Sequence, residues 1–227
     1  MRNIDRAIFY KVFHIPILIL FFLASTPAGA AVGGGLWVAG NFETYVFDHE
    51  QRDSQLIVSP SGKTLLIDAG EASWNTGNGA AFIANTQEHF DVIIVDSTDP
   101  IGPGEVLFEQ DFYRHCHAHL TPGGVLVTQN GVAFMQLDEA RNTATRFGRV
   151  FKDWHFYASA VPTYIGGAML MSFGTDDATL RRQSVATISA RFQAADLNTR
   201  YYTPEVHVGA FALPRYVLQA IGKEIGE

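Results

Sequence analysis

A single cysteine, Cys116, stands among the 227 residues, so neither an intrachain disulfide nor a multi-thiolate metal site can be built. Flanked by His115 and His117 in a stretch with helical spacing, that thiol reads as a buried structural side chain. Basic residues are scarce too: Lys and Arg total 16 against 23 Asp and Glu, a formal charge of -7. That balance argues against nucleic acid as a partner and is compatible with a small cationic ligand. No internal repeat or low-complexity tract stands out. The apolar run from Ile15 to Ala24 is shorter than the roughly 20 residues a membrane-spanning helix needs.

What is present begins with the arrangement of an export signal. Arg2, Arg6 and Lys11 precede the apolar run, and Ala28, Gly29, Ala30 and Ala31 supply an A-x-A-like processing site. Residues 1–31 are therefore set apart as a signal peptide, which points to a periplasmic or secreted address. Residues 32–76 read as a short β segment. Tyr45 to Phe47, Ser54 to Val58 and Thr64 to Ile67 are strand-like, and Ser59-Pro60-Ser61-Gly62 makes a turn between the last two.

From about Gly79 the pattern becomes strand, loop, helix, strand, the alternation of a parallel α/β sheet, and residues 77–227 form one portion of that kind. Phe90 to Val95 is a continuous apolar run, as expected of a strand buried on both faces. Gln110 to Leu120 predicts a helix stopped by Thr121-Pro122-Gly123-Gly124, and Val125 to Thr128 the next strand. Leu137, Ala140, Ala144, Phe147 and Phe151 recur at helical spacing. Trp154 to Ala160 and Ala168 to Phe173 predict a strand pair around the loop 162–167. Asp176 and Asp177 are placed to cap one last long helix with Leu180, Val185, Ile188 and Phe192 on one face.

The most informative words are Asp96-Ser97-Thr98-Asp99-Pro100-Ile101-Gly102-Pro103-Gly104-Glu105, directly after the buried strand. Ligands of open α/β sheets bind at the carboxyl ends of strands, where Asp96 and Asp99 fall. Pro100, Gly102 and Pro103 restrict the loop and hold the two carboxylates in a fixed relation. A lone aspartate here is often only a turn former or helix cap; two beside a rigid loop favour a site.

This stretch, with Leu107-Phe108 and Phe112-Tyr113, resembles the D-[SC]-[ST]-D-P-x-G-P signature of the polyamine aminopropyltransferases, the spermidine synthase family. Further matches run in register through Pro122-Gly123-Gly124, Gln129-Asn130-Gly131, Pro162-Thr163-Tyr164, Gly166-Gly167, Tyr201-Tyr202-Thr203-Pro204-Glu205-Val206-His207 and Ala210-Phe211-Ala212-Leu213-Pro214, so the likeness covers about residues 77–220. It implies an α/β fold: an incomplete Rossmann-like, methyltransferase-type sheet with flanking helices, here preceded by the short β-hairpin segment. The implied reaction moves an aminopropyl group from decarboxylated S-adenosylmethionine, a co-substrate, onto putrescine, giving spermidine and methylthioadenosine. No metal or further cofactor is implied, because the sulfonium is already an activated leaving group.

By the same resemblance Asp96 is the general base and Asp99 helps hold the diamine, with Ser97 and Thr98 in the same substrate-binding loop. Gln129 and Tyr164 line the amine site. Asn78, Gly79 and Pro103 fall at nucleoside-contacting positions, although Asn78-Gly79 replaces an Asp-Gly pair. The family's assemblies imply a homodimer or tetramer. Its G-G-G-D-G loop and the acidic residue ending the following strand have no counterpart here, so the sheet is expected to lose a neighbour and expose an apolar edge. A cytoplasmic metabolite as co-substrate also conflicts with export.

Two other functions remain open from the residues. Asp53 to Val58 and Leu65 to Gly70 resemble opening strands of exported metallo-β-lactamase-fold hydrolases over about residues 43–80, without the H-x-H-x-D-H run that carries that family's metals. On a helix, His115 and His119 share a face and His117 points away, so a hydrolase centre there lacks a ligand set. A non-catalytic, degenerate relative that still binds polyamines is the other alternative.

Overall fold

The computed structural model describes residues 43–48, 53–59, 62–67, 79–96, 102–196 and 198–226. The signal-peptide expectation for residues 1–31 lies outside them. The strands are β1 (Glu43–Asp48), β2 (Asp53–Val58), β3 (Thr64–Ile67), β4 (Phe90–Val95), β5 (Leu120–Val132), β6 (Asp153–Ala160) and β7 (Ala168–Thr175). The helices are α1 (Gly79–Asn85), α2 (Gln110–Ala118), α3 (Leu137–Phe147), α4 (Val185–Ala194), α5 (Pro204–Ala210) and α6 (Arg215–Ile221), with a 3-10 turn at Gly102–Phe108.

The described strands form one sheet in the order β1-β2-β3-β4-β5-β7-β6. β1, β2 and β3 are an antiparallel meander, β3, β4 and β5 run parallel, and β5, β7 and β6 alternate. The expected hairpin is thus part of the main sheet. β3 pairs with β4 through Leu65↔Val92 and Ile67↔Ile94, so the apolar edge expected from the missing βαβ unit is covered.

β4 is buried on both faces because its residues alternate between two cores. Val92 and Ile94 join Val125, Val127, Met171, Phe173 and Tyr157 on one face, while Ile93 and Val95 join Leu126, Phe112 and Phe147 on the other. Each fully buried aliphatic or aromatic side chain contributes about 1.5–3 kcal/mol, and these two clusters hold the layers together. α4 covers the first face with Ile188 and Phe192, together with Tyr202 and Phe211; α1, α2 and α3 cover the second. Cys116 is fully buried in that second core, where burial pushes its thiol pKa up.

Three expectations needed correction. The Thr121-Pro122-Gly123-Gly124 words lie inside β5, which begins at Leu120 and irregularly shifts register against β4. Phe151 is buried beyond the end of α3, in the turn that follows it. Instead of one long helix capped by Asp176 or Asp177, α4 starts at Val185 with the Ser184 hydroxyl accepting from the Thr187 N–H at 3.1 Å, and α5 and α6 follow. Asp177 accepts from the Thr179 N–H and hydroxyl in a local turn. Sequence periodicity carried across the 178–184 turn because Leu180 packs on the same core as Ile188.

Candidate active site

Asp96 follows the last residue of β4 and is half-buried. Strand alternation puts its side chain on the face of Val92 and Ile94. Val95 pairs with Thr128, so continuing that parallel register by one residue sets Asp96 beside Gln129. Gln129 pairs with Met171, and Met171 pairs with Tyr157. Asp96, Gln129, Met171 and Tyr157 therefore form one row across four strands, on one face, at the carboxyl ends of β4 and β5. Neighbouring strands lie about 4.8 Å apart, which brings long side chains in this row within reach of one another.

Gln129 is held from behind. On the opposite face its neighbour Asn130, fully buried, accepts from the Thr128 hydroxyl at 3.2 Å and the Ser172 N–H at 3.1 Å, and donates to the Thr143 hydroxyl of α3 at 2.8 Å. That network ties β5 to β7 and α3, and a fully satisfied buried network fixes geometry. Tyr113 joins it through Thr143 at 3.5 Å, and burial pushes its phenol pKa up to about 12. Beyond Gly131 the chain turns, and the Gln136 side chain accepts from the Val132 N–H at 2.8 Å.

Tyr164 sits in the β6–β7 loop and is half exposed. The loop closes on itself: Val161 donates its N–H to the Gly167 carbonyl at 2.8 Å, and Tyr164 donates to the Val161 carbonyl at 3.0 Å. Gly166 has φ +98°, and a Cβ there would lie 2.9 Å from Val132 Cγ1. Only glycine lets this loop rest against the end of β5, which keeps Tyr164 at the same end of the sheet as Gln129.

The remaining candidates divide. Ser97, Thr98, Asp99 and Asn78 lie outside the described residues. Gly79 is buried at the start of α1, and Pro103 falls in the 3-10 turn. Both of those elements pack on the face opposite the Asp96 row, through Ile83, Leu107 and Phe108. Among the described residues no three His, Cys, Asp or Glu side chains gather to hold a metal ion. His117 instead meets Asp176 at 3.2 Å, and His119 Nδ1 lies 3.0 Å from the Glu88 carbonyl oxygen.

Tyr157 was not singled out in the sequence. Its hydroxyl is fully buried without a hydrogen-bond partner among the described residues. Burial and then the negative charge of Asp96 push its pKa upward, so it is a neutral phenol across the physiological range. The missing signal was the face: β6 was legible as a strand, but only its pairing with β7 shows that Tyr157 looks toward Asp96. Cover comes from Phe211, 5.6 Å from the Tyr157 ring centroid to centroid, and from Tyr202, whose hydroxyl is 3.0 Å from His207 Nδ1.

A family profile described as the spermine/spermidine synthase domain matches residues 64–184. A polyamine aminopropyltransferase 1 of Pseudomonas aeruginosa is 58% identical over 147 residues, 65% of this chain and 51% of that protein. A polyamine aminopropyltransferase of Pseudomonas syringae pv. tomato is 57% identical over 164 residues, 72% of this chain and 57% of that protein. The chain thus spans about half the length of the curated relatives it matches. Among solved structures, a spermidine synthase in complex with the transition state analogue AdoDATO superposes with a TM-score of 0.56 at 29% identity, over 63% of this chain and 48% of that one. The spermidine synthase of Thermotoga maritima has a TM-score of 0.58 at 19% identity, over 78% of this chain and 87% of that one, a likeness of fold. The profile match takes in β3, so that strand of the segment compared with metallo-β-lactamases falls within the synthase match.

Proposed function

The chain belongs to the spermine/spermidine synthase family, and from that premise we propose that it catalyses aminopropyl transfer from decarboxylated S-adenosylmethionine to putrescine. The observation that carries the reading is the row at the strand ends, with Asp96 beside Gln129 on a backbone fixed by the Asn130 network.

The chemistry explains why a carboxylate belongs there. An alkylammonium resembles lysine, with a pKa of about 10.4, and its nitrogen has no lone pair until a proton leaves. Asp96 takes that proton. The freed lone pair forms a bond to the aminopropyl carbon beside the sulfonium, and the C–S bond electrons return to sulfur, leaving neutral methylthioadenosine. Asp99, Ser97 and Thr98 complete the amine loop, and Gln129 and Tyr164 supply polar contacts. Asn78, Gly79 and Pro103 contact the nucleoside. The sulfonium carries its own activation, so the step draws on no metal.

The test is an assay of the full chain with both substrates, reading spermidine and methylthioadenosine by mass spectrometry, alongside Asp96→Asn. Product from the parent that Asp96→Asn removes is the expected result; no product from a folded, diamine-binding parent sinks the catalytic reading. Calorimetry on the same protein separates turnover from mere polyamine binding: a relative without turnover binds putrescine but not methylthioadenosine.

Assembly and address are part of the same proposal. Sedimentation of the purified chain tests the homodimer or tetramer. A reporter active only after export, fused behind residues 1–31, tests the periplasmic or secreted address against the cytoplasmic one that the co-substrate favours.

A further inference from the structure

We propose that the Tyr157 hydroxyl is a hydrogen-bonding contact for the same amine nitrogen that Asp96 deprotonates, and so a determinant of diamine affinity. The inference rests on the aminopropyl-transfer reading for the identity of that amine. It starts from an orphan: a phenol oxygen buried without a partner among the described residues, in a core otherwise made of Ile94, Val127, Met171 and Phe173. A buried polar group left unsatisfied is destabilising, and such groups in a folded protein call for a ligand or a mechanism.

The register supplies the direction. Tyr157 stands in one row with Met171, Gln129 and Asp96, on one face of the sheet. An ammonium over the Gln129–Met171 centre of that row meets the Asp96 carboxylate on one side and the Tyr157 oxygen on the other, each accepting one N–H. Asp96 takes the proton it faces, so the attacking lone pair opens on the Asp96 side of the nitrogen, while the N–H held by the Tyr157 oxygen fixes how the amine is turned. The phenol is held protonated by burial and by the Asp96 charge, so it does not compete for the proton, which goes to Asp96. Tyr157 is therefore a binding and orienting contact, and Asp96 the base.

Tyr157→Phe deletes only the hydroxyl and keeps the ring against Phe211. Putrescine titrated calorimetrically into the full chain is expected to bind Tyr157→Phe about 10-fold more weakly than the parent, the scale of one lost hydrogen bond to a charged group. Thermal melts of the same samples are expected to show a Tm equal to or above the parent's, because the substitution removes an unsatisfied buried atom; a purely packing role predicts a lower Tm and an unchanged Kd. Equal putrescine affinity in the two proteins overturns the inference and leaves the transfer reading standing. A parent that binds putrescine with the Tyr157→Phe deficit but forms no spermidine overturns the transfer reading and supports the contact. A parent that binds no putrescine overturns the contact outright.

Discussion

Strand β4 carries an aspartate at each end, and their surroundings differ in kind. Asp91, near the amino end, accepts from Lys63 Nζ at 2.6 Å, the Thr121 hydroxyl at 2.9 Å and the Thr64 N–H at 2.9 Å, which ties the starts of β3 and β5 to β4. Asp96, at the carboxyl end, looks along a row whose far member is a buried hydroxyl with no partner among the described residues. The protein itself satisfies the polar groups gathered around Asp91; at the other end it leaves one waiting. The same side chain thus meets satisfied partners at one end of the strand and an unsatisfied hydroxyl's row just past the other, and that difference is a property of pairing rather than of composition.

The largest effect that sharpens this contrast is on turnover. Asp96→Asn keeps shape and hydrogen-bonding capacity but loses the base, and the rate of spermidine formation is expected to fall by about 100- to 10,000-fold with little change in Tm. A variant that keeps more than a tenth of the parent rate breaks the assignment of the base to this end of the strand.

Next comes the cover over the carboxyl end. His207 is buried beside Tyr202, and desolvation, with the Arg191 charge adding, pushes its pKa from 6.5 down to about 4. The folded protein therefore holds His207 neutral, while the unfolded chain takes up a proton below 6.5. Stability is at its full value above pH 6.5, falls as the pH drops toward 4, and levels off below that, by about 3 kcal/mol in all for this one group. Urea titrations across the window should show the parent losing stability as the pH falls and His207→Gln lacking that part of the slope. Parallel slopes would mean that the histidine titrates normally and the cover is looser than its packing implies.

Much of this architecture was legible in the chain. The buried run 90–95 and the strand pair 154–160 and 168–173 announced themselves because each is a local pattern of apolar residues bounded by turn formers. The joining of the hairpin to the main sheet was not legible, since Leu65↔Val92 is a pairing between segments with no shared signal. The split of the carboxyl-terminal helices was hidden for a related reason: Leu180, Ile188 and Phe192 share a core, so their spacing mimics one helix across a turn. At the site, Asp96, Gln129 and Tyr164 stood out through family words. Tyr157 lies in an ordinary strand and becomes distinctive only when register gives it a face.

A smaller effect separates the two aspartates by stability. Asp91→Ala strands the Thr64 N–H and the Thr121 hydroxyl and frees Lys63, at an expected cost of about 2 kcal/mol in chemical denaturation. Putrescine affinity should stay within about 2-fold of the parent, because Asp91 lies at the opposite end of the strand; each 1.4 kcal/mol is about 10-fold in binding, so even modest coupling would register. An equal loss of affinity and stability would mean that the two ends of β4 are not independent and that the site reads the whole strand.

The smallest effect concerns the loop that carries Tyr164, where two adjacent glycines make an internal control. Gly166 and Gly167 both have positive φ, +98° and +68°, so alanine at either is strained. Only Gly166 has a neighbour in the way: its added Cβ would lie 2.9 Å from Val132 Cγ1, while nothing lies within 4 Å of the same atom at Gly167. Gly167→Ala should therefore cost about 1 kcal/mol, the backbone penalty alone, and Gly166→Ala about 2 kcal/mol. Because the extra strain at Gly166 is relieved by lifting the loop from the end of β5, that variant should also weaken putrescine binding, whereas Gly167→Ala should not. Equal affinity losses in both would show that Tyr164 depends on the loop's internal hydrogen bonds and not on its seat against Val132, which would detach the loop from the row at the strand ends.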